Sequence, residues 1–151
     1  MDVISGSVRD TLGIGRRLAK FLKAGDILCL FGGLGSGKTV LTKGIAEGLG
    51  IDKNKVTSPS FVLIREHRHA RFPLYHFDLY RIKRPKDILA LGMDEYLYAD
   101  GVTVIEWADR LGPFLPNGYL KAEIFVKDGS MRRLRFSSRG RRAKELLEKI
   151  L

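Results

Sequence analysis

The chain has 151 residues, 44% hydrophobic and 29% charged, a balance that suits one domain with its own core and argues against a disordered tail or two full domains. The longest uncharged apolar run, Ile27 to Phe31, cannot span a bilayer, and the start carries an early acid, Asp2, and no signal-type apolar core, so a soluble, unprocessed, cytoplasmic chain is expected. Lysine and arginine outnumber aspartate and glutamate by 27 to 17, and the resulting +10 draws phosphate-rich or acidic partners without naming one.

The first predicted element is a helix over Asp10 to Lys23, where Leu12, Leu18, Ala19 and Leu22 fall broadly at helical spacing and Gly25 follows. Ile27-Leu28-Cys29-Leu30-Phe31 then reads as a central strand buried on both faces. Its cysteine, the only one in the chain, has no partner for an internal disulfide and suits buried packing. After Lys38, Leu41, Ile45 and Leu49 repeat every four positions until Gly48 and Gly50, which predicts a second helix.

Further strands are expected at Val62 to Ile64, Leu74 to Phe77, Val102 to Ile105, Leu120 to Val126 and Met131 to Phe136. Asp128-Gly129 between the last two is a hairpin signal, and Arg141 to Leu151 closes the chain as a helix carrying Leu146, Leu147 and Ile150. The expected fold is α/β: one domain, residues 1–151, with a central mixed sheet flanked by helices and a carboxyl-terminal β-hairpin plus helix.

Between the first strand and the second helix, residues 32–39 read Gly-Gly-Leu-Gly-Ser-Gly-Lys-Thr, a complete P-loop in its required strand–loop–helix context. Successive backbone amides in such a turn point at phosphate oxygens, and the following helix adds the positive end of its dipole. The loop and first helical turn, Gly33, Leu34, Gly35, Ser36, Gly37, Lys38, Thr39 and Val40, are therefore the candidate ATP-binding segment. Lys38 is placed to reach the outer phosphates and the Thr39 hydroxyl to ligate Mg2+. A loop that merely turned a strand into a helix would explain neither the lysine nor the hydroxyl.

Such a site also needs an acid at a strand end. Glu106, closing Val102 to Ile105, is the first candidate for the metal and for catalysis, and Asp78, closing Leu74 to Phe77, the second; helix capping or a partner for Arg81 is the ordinary alternative for Asp78. Thr57-Ser58-Pro59-Ser60 places hydroxyls around a rigid proline and reads as a nucleotide-sensing switch. Trp107 follows the acid, so its indole is expected to face away from the nucleotide or to lie at the cleft rim. His67 and His69 alternate on a strand without a third ligand at metal-site spacing, and the arginines around them and in the carboxyl-terminal part read as solvated faces.

Taken in order, the loop, Thr57-Ser58-Pro59-Ser60-Phe61, His76-Phe77-Asp78-Leu79-Tyr80-Arg81, Gly92-Met93-Asp94-Glu95-Tyr96 and Val104-Ile105-Glu106-Trp107 resemble the bacterial TsaE family across most of the chain. The resemblance implies an ATP- and Mg2+-dependent ATPase that works with the TsaB and TsaD proteins in forming threonylcarbamoyladenosine in tRNAs reading codons that start with adenosine. It implies that tRNA is reached through the complex, that the transfer step belongs to TsaD, and that hydrolysis by the isolated subunit is slow. It also implies Lys38 and Thr39 as phosphate and magnesium residues, Glu106 as the metal-side acid, Asp78 as the switch acid, and Thr11 and Arg132 as neighbours of the nucleotide base. The chain departs from the family at Gly33, where an acid is common, at Val40, where a second threonine is frequent, and at Ser60, where threonine is usual. A small-molecule or nucleotide kinase is the alternative class, needing an acceptor pocket and an arginine-bearing lid. A nucleic-acid-binding module is a third, although no known RNA-binding motif supports it.

Overall fold

The structure, a computed structural model, describes residues 1–150; Leu151, at the end of the expected last helix, lies outside the described residues. The elements in chain order are β1 (Asp2–Ser5), α1 (Val8–Ala19), β2 (Ile27–Phe31), α2 (Lys38–Gly48), β3 (Ile64–His67), β4 (Leu74–Asp78), β5 (Val102–Glu106), β6 (Tyr119–Asp128), β7 (Met131–Arg139) and α3 (Arg141–Ile150). Short 3-10 turns at Lys53–Lys55, Pro85–Leu91, Met93–Glu95 and Ala108–Phe114 fill the connections.

The seven strands form one mixed sheet in the order β1-β7-β6-β2-β5-β4-β3. β6, β2, β5 and β4 run parallel, whereas β7 lies antiparallel to β6, β1 to β7 and β3 to β4. This is the α/β architecture with a mixed sheet and terminal hairpin-plus-helix that the sequence predicts.

Strand alternation sorts the core into two layers. Leu28, Leu30, Val102, Val104, Leu120, Ala122, Leu134 and Phe136 point to the side carrying α1, α2 and α3, packing against Leu18, Leu41, Ile45 and Leu146. Ile27, Cys29, Tyr75, Phe77 and Ile105 point the other way, under Ile88, Met93, Leu97 and Leu111 of the 3-10 turns. The three α-helices thus share one face. Cys29 is fully buried, and that burial pushes its thiol pKa up.

α1 begins before the expected Asp10, because the Ser7 hydroxyl accepts from the Asp10 amide and caps it at Val8. It ends before the expected Lys23, because the chain tightens after Ala19, the Arg71 guanidinium takes the Ala19 carbonyl, and Leu22 turns into the core. α1 and α2 approach closely through glycines: a Cβ on Gly44 would lie 2.4 Å from the Leu12 carbonyl oxygen, and one on Gly15 2.7 Å from the Leu41 carbonyl oxygen. α3 is tied down by Arg142, whose guanidinium grips buried Asp26 at 2.7 Å ahead of β2.

The strand expected at Val62 to Ile64 is displaced. Leu63 sits at φ 70° in a turn whose amide donates to the Pro59 carbonyl and whose carbonyl accepts from the Asp78 amide, so pairing begins at Ile64. The edge strand β1, which no local pattern predicts, is held by register with β7, Val3 opposite Leu134.

Candidate functional site

Phe31 leads into the loop and Lys38 opens α2, the strand–loop–helix junction the sequence predicts. Gly32 takes φ 156°, and a Cβ there would stand 2.5 Å from the Ser36 hydroxyl and 2.8 Å from the Ile124 carbonyl oxygen, so the entry to the loop demands glycine. Gly37 caps α2 at φ 111°, a backbone state that frees the helix-end amides to point out of the loop. Lys38 is buried, and its ammonium donates to the carbonyls of Gly32 at 2.6 Å and Gly33 at 2.8 Å. Burial lowers its pKa, opposed by the carboxylates of Glu106, Asp78 and Asp109 in that order.

β4 and β5 bring the two acids together, because their parallel register sets Asp78 opposite Glu106 at adjacent carboxyl ends. Both are buried. Glu106 Oε2 accepts from the Thr39 hydroxyl at 2.9 Å. Its other oxygen, Oε1, lies 2.7 Å from His76 Nε2 and accepts from the Thr42 hydroxyl at 3.1 Å. The carboxylate is therefore divided: Oε1 faces the interior of the sheet and Oε2 faces the phosphate loop. Two hard oxygen donors beside a phosphate cradle form a donor set that fits Mg2+.

Asp78 has a different set of partners. One oxygen accepts from the Tyr80 amide at 2.9 Å and the other from the Ser58 hydroxyl, which latches the Ser58-Pro59-Ser60 segment onto the end of β4. Ser58 and Ser60 line the same cleft of about 370 Å3 as Leu34, Gly35, Ser36, Gly37, Lys38, Thr39, Val40, Asp78, Tyr80, Glu106 and Trp107. Gly33 does not line it, although its carbonyl holds Lys38.

Of the two placements expected for Trp107, the structure shows the one at the cleft. Trp107 leaves β5 at φ 56°, which swings the indole back into the cleft wall with the Lys38 ammonium 4.1 Å from its ring centroid. Tyr80 packs against the same indole, with ring centroids 5.0 Å apart. Thr11 and Arg132 both line a second cavity of about 190 Å3, with Gly35, Ser36, Gly37 and Val40 of the loop and the start of α2. Arg132, the second residue of β7, donates from Nε to the Ser36 carbonyl at 2.9 Å and from a terminal nitrogen to the Gly35 carbonyl. The Thr11 hydroxyl pairs with Ser5 at 2.7 Å. His67 and His69 stay outside the site; His67 closes β3, with protonation disfavoured by burial, then by His76 and Arg65.

His76, Thr42 and Tyr80 are the residues that motif reading passes over. The signal existed for the first two: His76 precedes Asp78 by two and so shares its strand face, and Thr42 follows Lys38 by four on one helix face.

The family model described as "Threonylcarbamoyl adenosine biosynthesis protein TsaE" matches residues 5–134. A Bacillus subtilis protein named "tRNA threonylcarbamoyladenosine biosynthesis protein TsaE" is 40% identical over 141 residues, 93% of this chain and 87% of that protein. One of the same name from Treponema pallidum is 40% identical over 116 residues, 77% of this chain and 84% of that protein. The crystal structure of Bacillus subtilis YdiB is similar with a TM-score of 0.84 and 37% identity, covering 99% of this chain and 93% of that one.

Proposed function

Since the chain belongs to the TsaE family, we propose that it is the ATP-hydrolysing subunit that acts with TsaB and TsaD in threonylcarbamoyladenosine formation on tRNA, in the cytoplasm. The observation that carries this reading is the pairing of Thr39 Oγ1 with Glu106 Oε2 at 2.9 Å, beside Lys38 at the mouth of the P-loop. A loop serving only as a turn has no need for a buried acid aimed at the first hydroxyl of its helix.

On this reading the loop amides and the α2 dipole bind the β- and γ-phosphates. Lys38 exchanges its bonds to the Gly32 and Gly33 carbonyls for phosphate oxygens, which brings its positive charge onto the group that leaves. Thr39 and, through water, Glu106 would hold magnesium, which when bound neutralises charge developing on the phosphates. His76 and Thr42 keep Glu106 Oε1 occupied, so that Oε2 stays directed at the loop. Asp78 ties the Ser58–Ser60 segment to the acid-bearing strand ends, so a change at the γ-phosphate is felt by a surface loop. The base and ribose lie toward Thr11, Val40 and Arg132.

The test is ATP hydrolysis by the purified chain, alone and with TsaB, TsaD and tRNA, for the natural sequence and Glu106→Ala. Slow hydrolysis that the partners stimulate, and that Glu106→Ala lowers by about 100-fold or more, is the expected result. Transfer of phosphate to a small molecule, with no stimulation by the partners, would replace this reading with a kinase.

A further inference from the structure

The sheet is unevenly covered. The helices cover one face from β1 to β4, but on the other the 3-10 turns lie over β2, β5, β4 and the start of β6 at Tyr119, leaving the rest of β6, β7 and β1 uncovered. Alternation along β7 puts Leu134 and Phe136 into the core and Arg133, Arg135 and Arg139 onto this open face, with Lys121 and Phe125 of β6 beside them. We propose that this open face of β6–β7–β1 is a docking surface for RNA, gripping the sugar-phosphate backbone directly.

Its cations are held rather than loose. The guanidinium groups of Arg133 and Arg135 both pack on Phe125, 4.7 and 5.6 Å from its ring centroid, and Lys121 lies 4.8 Å over Phe31. A charge parked on an aromatic ring loses less side-chain freedom on binding, and a guanidinium plane offers both a stacking surface and forked donors for phosphate. Arg133 Nε is withdrawn from solvent without an acceptor, which leaves this face one hydrogen bond short.

The spacing favours a polynucleotide over an acidic protein. Residues two apart on a strand stand roughly 6.8 Å apart, close to the step between successive phosphates, and Arg133, Arg135, Ser137 and Arg139 follow that repeat along one strand. The acids nearby, Asp2 against Arg135 and Glu123 against Lys121, form half-exposed pairs. Such pairs contribute little and exchange readily for phosphate.

The experiment measures binding of unfractionated bacterial tRNA by fluorescence anisotropy over a sodium chloride series, for the natural chain, Arg133→Ala/Arg135→Ala, and Arg141→Ala/Lys144→Ala on exposed positions of α3. ATP binding by each variant checks the fold. The expected result is an affinity about tenfold or more weaker for the β7 pair, a log–log salt slope reduced by about 1 to 2, and little change for the α3 pair. Equal losses in both would reduce the effect to net charge and overturn the proposal. So would unchanged tRNA binding by the β7 pair with lost capture of TsaB and TsaD, which would assign the face to a protein. Should the β7 pair lose ATP binding, ultraviolet cross-linking of the natural chain to tRNA decides instead: links on the Phe125 or Arg133 peptides support the proposal, and links confined elsewhere overturn it.

Discussion

Glu106 shows how a single carboxylate is prepared at the residue scale. Buried acids are costly unless every lone pair is answered, and here His76, Thr42 and Thr39 answer them from two sides. Only the Thr39 side opens on the phosphate loop. If His76 and Thr42 serve to aim the acid, His76→Leu and Thr42→Val should each lower magnesium-supported turnover about 10- to 100-fold, while ATP affinity measured without metal changes little. A magnesium titration of hydrolysis checks this, and equal losses in both quantities would show a general loss of structure instead. The meeting of Lys38, Thr39 and Glu106 in one cleft was legible, because the P-loop fixes the first two by spacing and such a loop calls for an acid at a neighbouring strand end. The contacts that His76 and Thr42 make with Glu106 were not, because the β4–β5 register brings His76 to the acid and the packing of α2 brings Thr42, and neither arrangement is written in a local motif.

At the scale of elements, the P-loop is aimed by how α2 lies against α1. Gly15, Gly44 and Gly48 allow backbone-to-backbone approach, and a Cβ on Gly44 would meet the Leu12 oxygen at 2.4 Å and the Leu12 Cα at 2.9 Å, neither of which can yield as a side chain end would. Gly44→Ala should therefore destabilise by about 1–3 kcal/mol despite its better helix propensity. Gly13, on the same helix α1, has only a flexible Arg16 nitrogen at 3.6 Å. There Gly13→Ala should stabilise by about 0.5–1 kcal/mol. Urea unfolding of both variants gives the two signs directly, and a gain for Gly44→Ala would mean the helices are free to part. Helices and central strands were readable from periodicity, since each buries a continuous stripe. β1 and the true start of β3 were not: β1 is four residues whose burial depends on β7, and Leu63 is turned out of strand geometry by a hydrogen bond from Asp78.

Across the whole molecule, the carboxyl ends of the parallel strands converge on one edge, where β2 delivers the loop and β4 and β5 deliver the acids. That edge holds a buried ammonium whose charge is disfavoured by desolvation and answered by loop carbonyls and an indole. Phosphate is the better partner for it, so nucleotide binding should tighten the folded state as a whole, because the unfolded chain has no cradle. At a hundredfold excess over its dissociation constant, a ligand confined to the folded state adds about 2.7 kcal/mol. For a chain of this size that corresponds to a melting-temperature rise of about 5–10 °C. Lys38→Ala should remove most of that rise at the same ATP and magnesium concentrations, while its ligand-free melting temperature moves far less, since the bonds it loses there are made to carbonyls that water can reach. Thermal melts of both chains with and without Mg-ATP read the two quantities separately. A full ATP-induced rise in Lys38→Ala would mean that phosphate is held by the loop amides without the lysine.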